Sequence, residues 1–436
     1  MKVLVIGGGG REHALVWKIA RSRRVSEILC LPGNAGIAQL ARLVPGKAED
    51  PAHLLAVARA EHPDLIVIGP EGPLAAGAAD TLSEAGFKVY GPTRRAAEVE
   101  SSKAWCKEFM FRHGIPTAAA EIFDDATAAH GYVNKVGAPL VVKASGLAAG
   151  KGAVVCATME EAHEAVASIM EEKTFGEAGR TVVVEEYLEG EEVSVLAFAA
   201  GDRFVPMAPS QDHKRVFDGD RGPNTGGMGA YSPVPSYTAE MGERVEREVF
   251  GRALPALAAE GRPYVGVLYA GLMLTRQGPK VIEFNARMGD PETQVVLPRL
   301  DSDLVDIMDA SASGNLRPEL VSWSPRAAAT VVMASGGYPG KYQTGLAVLG
   351  LDEASALDSV LVFHAGTAFG AAPAGHEPNG GAPVKTSGGR VLAVTALAGD
   401  LRQAVARAYT AVSKIRFEGA HYRTDIAARA IGRLNI

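Results

Sequence analysis

A chain of 436 residues is long enough for two to four domains with separate cores. Its 47% hydrophobic and 22% charged residues describe a soluble globular protein, and a net charge of −6 excludes a chain-wide electrostatic footprint for nucleic acid. Three widely spaced cysteines, Cys30, Cys106 and Cys156, exclude a disulfide framework or zinc site and point to a reducing, cytoplasmic setting. No apolar run approaches the roughly 18 residues that span a bilayer, so no membrane contact is expected. The run Val3–Ile6 is too short for a signal-peptide core.

In chain order, KVLVIG (2–7) predicts a buried strand, the periodic segment from His13 to Ala20 a helix, and SEILCLPG (26–33), DLIVIGPEG (64–72) and FKVYGP (87–92) three more strands. Strands alternating with helices predict right-handed βαβ units, and so an α/β domain over residues 1–101 with a doubly wound parallel sheet. Its ligands would sit at the carboxyl ends of the strands, which carry GGGGRE, PGNAG and GPEGP. SSKAWCKEFMFRHG, from Ser101, predicts a helix ending at Gly114. A small glycine-hinged α/β block follows: APLVVKASGLAAGKG (138–152) as strand and loop, the helical EEAHEAVASIMEE (160–172), then the strand TVVVEEYL. The segment 191–300 holds further strands and the polar loop QDHKRVFDGDRGPNTGGMGAYSP (211–233), whose length and charge suit a functional loop. From about Ala327 the strands AAATVVMAS, VLVFHAGT and GGRVLAVTALA and a helix over 401–415 predict a compact C-terminal α/β domain. The Gly/Pro-rich piece 370–383 reads as an exposed hairpin loop.

Two segments bear on chemistry before any other. In KVIEFNARMGDPE (280–292), Ile282, Phe284 and Ala286 alternate with Glu283, Asn285 and Arg287, so a strand would turn a carboxylate, an amide oxygen and a guanidinium to one face. Two hard oxygen ligands beside a fixed cation suit Mg²⁺ carrying a nucleotide's phosphates, although an edge strand with a solvated polar face would show the same alternation. In VLVIGGGGREH, Gly7 and Gly9 match a dinucleotide fingerprint, but Glu12 stands at the third glycine position and no acid closes the second strand. That disfavours NAD. The loop still offers backbone N–H groups and Arg11 to one phosphate, and a plain tight turn accounts for it as well. SGLAAGKG (145–152) lacks the P-loop order, yet its small residues around Lys151 suit a flap whose amides approach phosphate oxygens, or an ordinary flexible loop.

The order Lys103, Lys143 with its glycine loop, the E-E-Y-L turn and E-F-N resembles the ATP-grasp superfamily. Within it the chain resembles the purine-biosynthetic ligases that join glycine to phosphoribosylamine. GGGGREHAL, PGNAG, DLIVIGPEGPLAAG, ESSKAW, KASGLAAGKG, VEEYLEGEEVSV, the 211–233 run, EFNARMGDPETQ, ASGGYPGKY, VFHAGT and HYRTDI carry that likeness from residue 7 to 426. The resemblance implies an ATP-grasp domain over 102–324 with a mobile lid over about 115–190, and a C-terminal domain over 325–436. It implies ATP as co-substrate with Mg²⁺ or Mn²⁺ on Glu283 and Asn285. Lys103, Lys143 and the flap residues Gly146, Gly150, Lys151 and Gly152 would meet the phosphates. Glu185, Glu186 and Leu188 would belong to the adenine hinge, and Glu192 would meet the ribose hydroxyls.

Glycine's carboxylate would attack the γ-phosphate, and the amine of phosphoribosylamine would displace phosphate from glycyl phosphate to give glycinamide ribonucleotide. Arg287, cationic at any relevant pH, would face the acyl phosphate and with Lys143 carry the chemistry. Asp212, Lys214 and Asp290 are candidates for glycine and amine recognition, and Gly9, Arg11, Glu12 and Asn34 for the ribose phosphate. His213 reads as a positioning or packing residue, and Thr225 and Tyr231 as loop scaffolding. A monomer is expected. One departure stands out: Ser145 occupies the place of an expected aspartate in K-A-D-G. The rivals are a carboxylase of the same superfamily and a nucleotide-binding module without turnover.

Overall fold

The computed structural model describes residues 1–148, 150–370 and 383–433. The loop expected at 370–383 therefore lies almost wholly outside the described residues.

Lys2–Gly7 is the central strand of a five-stranded parallel sheet, ordered Arg42–Leu43, Glu27–Pro32, Lys2–Gly7, Leu65–Ile68, Val89–Tyr90. Its apolar run is buried on both faces, as a parallel sheet covered by helices requires. The chain winds one way from this strand and then the other, so Gly7, Pro32 and Ile68 end side by side and open a crevice between the loops that follow them. Gly8 permits the close approach, because a Cβ there would lie 2.6 Å from the Gly33 carbonyl oxygen.

The helix Lys103–Arg112 leads into a second body. Strands Ala120–Phe123, Val182–Glu186, Leu140–Ala144 and Ala153–Cys156 form an antiparallel sheet in that order, covered by the helices Ala126–Val136 and Met159–Val166. Its apolar residues, among them Val133, Val142, Val166 and Val184, form a cluster of their own. A four-stranded antiparallel sheet, ordered Arg203–Pro206, Glu191–Gly201, Tyr264–Thr275, Gly278–Asn285, stands opposite. The last sheet takes Val360–His364, Arg390–Ala398 and Ala327–Ala334 from the C-terminal part.

The segment 211–233 differs from the expected loop. Gln211–Asp212 and Gly229–Ser232 pair with each other and join the C-terminal sheet through Ala327–Ala334, while Arg215–Phe217 and Arg221–Asn224 form a hairpin between them. Asp218, Gly219 and Asp220 turn that hairpin, with Gly219 and Asp220 at φ 69° and 53°. Polar, glycine-rich composition concealed these strands, which pair within the segment, and Gly229–Ser232 adds a partner about 100 residues downstream.

Candidate functional site

The lid strands set the first cluster. Lys143 and Glu185 lie diagonally on one face of neighbouring strands, and Lys143 Nζ donates to Glu185 Oε2 at 2.9 Å. The other Glu185 oxygen lies 3.2 Å from Lys107 Nζ, so one buried carboxylate serves two buried ammonium groups. Lys107 was not among the residues singled out from the sequence. It follows Lys103 by one helical turn, a spacing that aims both side chains the same way. Burial, and then Lys143, push its pKa down against the pull of Glu185.

Lys143 Nζ also donates to the Ile282 carbonyl at 2.9 Å. A bulge explains why that carbonyl is in reach: Gly271 pairs with Glu283 and Leu272 with Val281, which leaves Ile282 as the extra residue. The bulge joins the lid lysine to the strand that carries Glu283 and Asn285. Lys103 reaches the same region. Its Nζ donates to the Gly146 carbonyl at 3.0 Å, and its backbone N–H donates to the Ser145 carbonyl at 2.7 Å.

Glu283 is the centre of this arrangement. Among the described residues its carboxylate has no hydrogen bond and no ion pair within 4.0 Å. Burial alone would raise its pKa, yet Lys214, Lys143, Lys103 and Arg287 together hold it below the ordinary value. Asn285 Oδ1 accepts from Arg287 Nη2 at 3.3 Å. One carboxylate and one amide oxygen are hard donors too few for an all-protein cage. They fit Mg²⁺ or Mn²⁺ arriving with water and phosphate oxygens, and the surrounding cations favour a metal that comes with anions.

Arg287 is held by Glu71 at 3.1 Å and Glu100 at 2.8 Å, two carboxylates that sequence reasoning did not single out. Glu71 lies just past the carboxyl end of Leu65–Ile68. Arg287 and Arg11 pull its pKa down to about 2, against burial, which opposes them. Glu100 is buried and also accepts from the Ala286 N–H at 2.7 Å. A half-buried arginine is well served by such partners, and both glutamates stand in segments already quoted, GPEGP and ESSKAW.

The crevice of the N-terminal sheet adjoins this point. Arg11 pairs with Glu12, donates to the Met288 carbonyl at 3.1 Å and lies 3.8 Å from Glu71. The other Glu12 oxygen accepts from the Gly9 N–H at 2.7 Å, closing the first turn of the helix Gly10–Ile19. Asp290 faces the glycine loop, since a Cβ on Gly9 would stand 3.6 Å from Asp290 Oδ2. Arg390, from the C-terminal sheet, binds the Asp290 carboxylate at 3.3 Å and its carbonyl at 2.7 Å. Asn34 has its amide engaged inside the protein, donating to the Gly8 and His364 carbonyls and accepting from Gly36 and Ile37.

On the opposite wall, Lys214 pairs with Glu192 at 2.8 Å. The Asp212 carboxylate has no hydrogen bond or ion pair among the described residues. Burial, with Glu292, Glu192 and Glu283 adding to it and Lys214 opposing, pushes its carboxyl up to about 8. Between them His213 accepts from the Ala427 N–H at 3.0 Å through Nε2, and burial lowers it to about 4, so it is a neutral, fixed ring near pH 7. Thr225 binds the Lys214 carbonyl through both its N–H and its hydroxyl, and the Tyr231 hydroxyl donates to Gln211.

The remaining expected residues form the rim. Glu186 accepts from the Ala119 N–H at 2.9 Å and pairs with Lys280 at 2.8 Å, and Leu188 follows it half-buried. In the flap, Gly146 packs where a Cβ would strike Ala178, Gly150 has φ 75°, the Gly152 carbonyl accepts from the Ala144 N–H and Lys151 Nζ reaches the Pro339 carbonyl. The structure thus brings Lys103, Lys143, Lys214, Asp212, Glu283, Asn285 and Arg287 around one cleft, with Gly9, Arg11 and Asp290 at its N-terminal end.

The chain matches the models of the phosphoribosylglycinamide synthetase N domain over residues 1–100, ATP-grasp (A) domain over 101–293 and C domain over 328–429. It is 50% identical over 436 residues to the phosphoribosylamine–glycine ligase of Xanthomonas axonopodis pv. citri, covering 99% of each. To the trifunctional purine biosynthetic protein adenosine-3 of Gallus gallus it is 51% identical over 438 residues, which is all of this chain but 43% of that protein. The crystal structure of phosphoribosylamine–glycine ligase from Thermotoga maritima superposes with a TM-score of 0.82 at 34% identity, covering 98% of this chain and 100% of that one. The chain is a member of the phosphoribosylglycinamide synthetase family, built on an ATP-grasp domain between the family's N and C domains.

Proposed function

We propose that the protein joins glycine to phosphoribosylamine with cleavage of ATP to ADP and phosphate, through glycyl phosphate. The observation that carries this reading is the Glu283 carboxylate, half-buried amid Lys103, Lys143, Lys214 and Arg287 and without a hydrogen-bond or ion-pair partner among the described residues. Such a site favours a bound anion and the oxygen-liganded metal that accompanies it. Glu283 and Asn285 would hold Mg²⁺ or Mn²⁺, which supplies charge neutralisation to the transferred phosphoryl group.

Lys103 and Lys143 face the ATP phosphates, with Gly146, Gly150, Lys151 and Gly152 closing over them. Glu185, Glu186, Leu188 and Glu192 form the wall for adenosine. A glycine carboxylate oxygen attacks the γ-phosphorus, and the bond to the ADP oxygen breaks with its electron pair leaving on ADP. The amine of phosphoribosylamine then attacks the acyl carbon, and phosphate departs with the carbon–oxygen electron pair and the amine proton. Arg287, held by Glu71 and Glu100, is oriented to stabilise charge on the acyl phosphate. Asp212, Lys214 and Asp290 orient glycine and the amine, and Gly9, Arg11, Glu12 and the turn built on Asn34 cradle the ribose phosphate. In this reading residues 1–101 take the ribose phosphate, 102–324 run the chemistry under a lid of about 115–190, and 325–436 buttress it. Closure of the lid keeps water from the acyl phosphate. The reading includes a monomer in the cytoplasm, where the buried thiols of Cys30, Cys106 and Cys156 stay free.

The test is phosphate release from ATP that requires glycine and phosphoribosylamine together. Glycine-dependent positional exchange of ¹⁸O between the bridging and non-bridging β,γ oxygens of ATP reports glycyl phosphate. Release that responds to bicarbonate instead, or no release with any acceptor, overturns the reading.

A further inference from the structure

The HYRTDI segment near the C-terminus touches none of the groups just placed around the cleft, yet it is tied to the hairpin 215–224 at five points. Arg423, 1% exposed, forks onto both oxygens of Asp425 at 2.7 Å. Its remaining nitrogen reaches Asp220 at 2.8 Å and the Arg215 carbonyl at 3.1 Å. Asp425 in turn accepts from the Gly219 N–H at 2.9 Å. The Thr424 N–H and hydroxyl both donate to Asp218. His421 Nε2 donates to the Val216 carbonyl at 2.9 Å, and the Ala427 N–H donates to His213 Nε2 at 3.0 Å.

The hairpin held in this way starts one residue after Lys214. Among the described residues, the segment carrying Lys214 and Asp212 is otherwise attached to the cleft wall by the Glu192 pair, the Thr225 bonds to the Lys214 carbonyl, the backbone bonds of His213 to Gly229 and Met228, the Gln211 bond to the Glu192 carbonyl, and two rungs of ladder between Gln211–Asp212 and Gly229–Ser232. Resting on the function proposed above, we infer that Arg423 is a positioning residue: through Asp220, Asp425 and the Arg215 carbonyl it fixes the hairpin, and thereby the aim of Asp212 and Lys214 at glycine. Among the described residues it has no contact with Lys103, Lys143, Glu185 or the flap, so the clamp acts mainly on glycine and reaches ATP only indirectly, through Lys214. Arginine suits this place because its planar fork serves Asp425 with two bonds and still presents a third nitrogen to Asp220, which a single ammonium cannot do.

The experiment measures KM for glycine and for ATP separately in the full-length protein and in two variants. Arg423→Lys keeps the charge and loses the fork. Asp218→Ala removes the Thr424 bonds without leaving a buried charge behind, and so remains informative if Arg423→Lys folds poorly. Displacing groups that orient a substrate is costly, and the lysine variant is expected to raise the glycine KM about tenfold and the alanine variant about threefold, with the ATP KM unchanged within about twofold. Folded variants whose glycine KM is unmoved, or in which both constants rise together as general loosening requires, overturn the inference. Failure of the wild-type protein to release phosphate in response to glycine removes the underlying function instead, so the two failures are told apart.

Discussion

The Ser145 hydroxyl accepts a hydrogen bond from the Ala104 N–H at 3.1 Å, across from the lid strand to the first turn of Lys103–Arg112. With Ser102, which accepts from the Trp105 N–H at 3.3 Å, it caps that helix. The residue that departs from the expected K-A-D-G is therefore part of the helix start that carries Lys103. A carboxylate in its place would keep the bond, make it charge-assisted and meet the positive end of the helix. Ser145→Asp is expected to fold with an unfolding midpoint at or above wild type and an ATP KM within about twofold of it. Ser145→Ala leaves the Ala104 N–H bare and should cost ~1 kcal/mol. Thermal denaturation of the two variants beside ATP kinetics checks this, and an ATP-specific gain in Ser145→Asp would contradict it.

Glu283 and Asn285 divide one task unequally. Glu283 supplies the negative charge that faces four cations, while Asn285 supplies a neutral oxygen already shared with Arg287. Glu283→Gln is expected to lower turnover by on the order of 100-fold, since a charged metal ligand contributes several kcal/mol. Asn285→Ala should fall less and recover in part when Mg²⁺ is raised, because water replaces an amide oxygen readily. Initial rates over a Mg²⁺ titration separate the two, and full activity of either variant at limiting Mg²⁺ would remove the metal assignment.

Much of this was legible in the sequence for physical reasons. The strand Lys2–Gly7 is an unbroken apolar run ending in glycines, and a period of two in KVIEFN turned Glu283 and Asn285 to the cleft. The bulge at Ile282 was not legible, because it depends on the partner strand's register and no residue type announces it. Lys107 was not singled out, and its meaning appears once Glu185 arrives from a strand 78 residues later. Glu71 and Glu100 likewise acquire a role through Arg287, about 200 residues on. Charges whose partners are distant in the chain leave no local pattern.

The shared carboxylate makes two substitutions unequal. In Lys107→Met, Glu185 keeps Lys143 and no charge is stranded, so the stability loss should be ~1 kcal/mol and the freed oxygen should draw Lys143 closer. That shift takes Lys143 from the phosphates and should raise the ATP KM several-fold, an effect of about 1 kcal/mol. In Glu185→Gln two buried ammonium groups lose their counter-ion, and the expected loss is about 3–5 kcal/mol. Urea unfolding of both variants ranks them, and a Lys107→Met variant less stable than Glu185→Gln would show that Lys107 and not Glu185 holds the cluster together.

The contact between the N- and C-terminal parts carries a pH dependence. His13 Nδ1 accepts from the His364 N–H at 2.8 Å, the two rings lie 5.6 Å apart, and His364 Nδ1 meets the Thr367 hydroxyl at 3.0 Å. Burial, then His364, lowers His13 to about 3, and burial lowers His364 to about 4. His213 lies in the same range. A depressed folded-state pKa means that the unfolded chain binds the proton more readily, so stability rises with pH across the window. The contribution is complete above the ordinary value of 6.5 and is lost as pH falls toward 4. Within that window each histidine removes up to about 1.4 kcal/mol per pH unit. Urea midpoints are therefore expected to drop between pH 7 and pH 5 more steeply than one group allows. His364→Phe, which keeps a ring and removes the titration, should start lower at pH 7 and fall less. A variant slope as steep as wild type would place the acid lability elsewhere than at this contact.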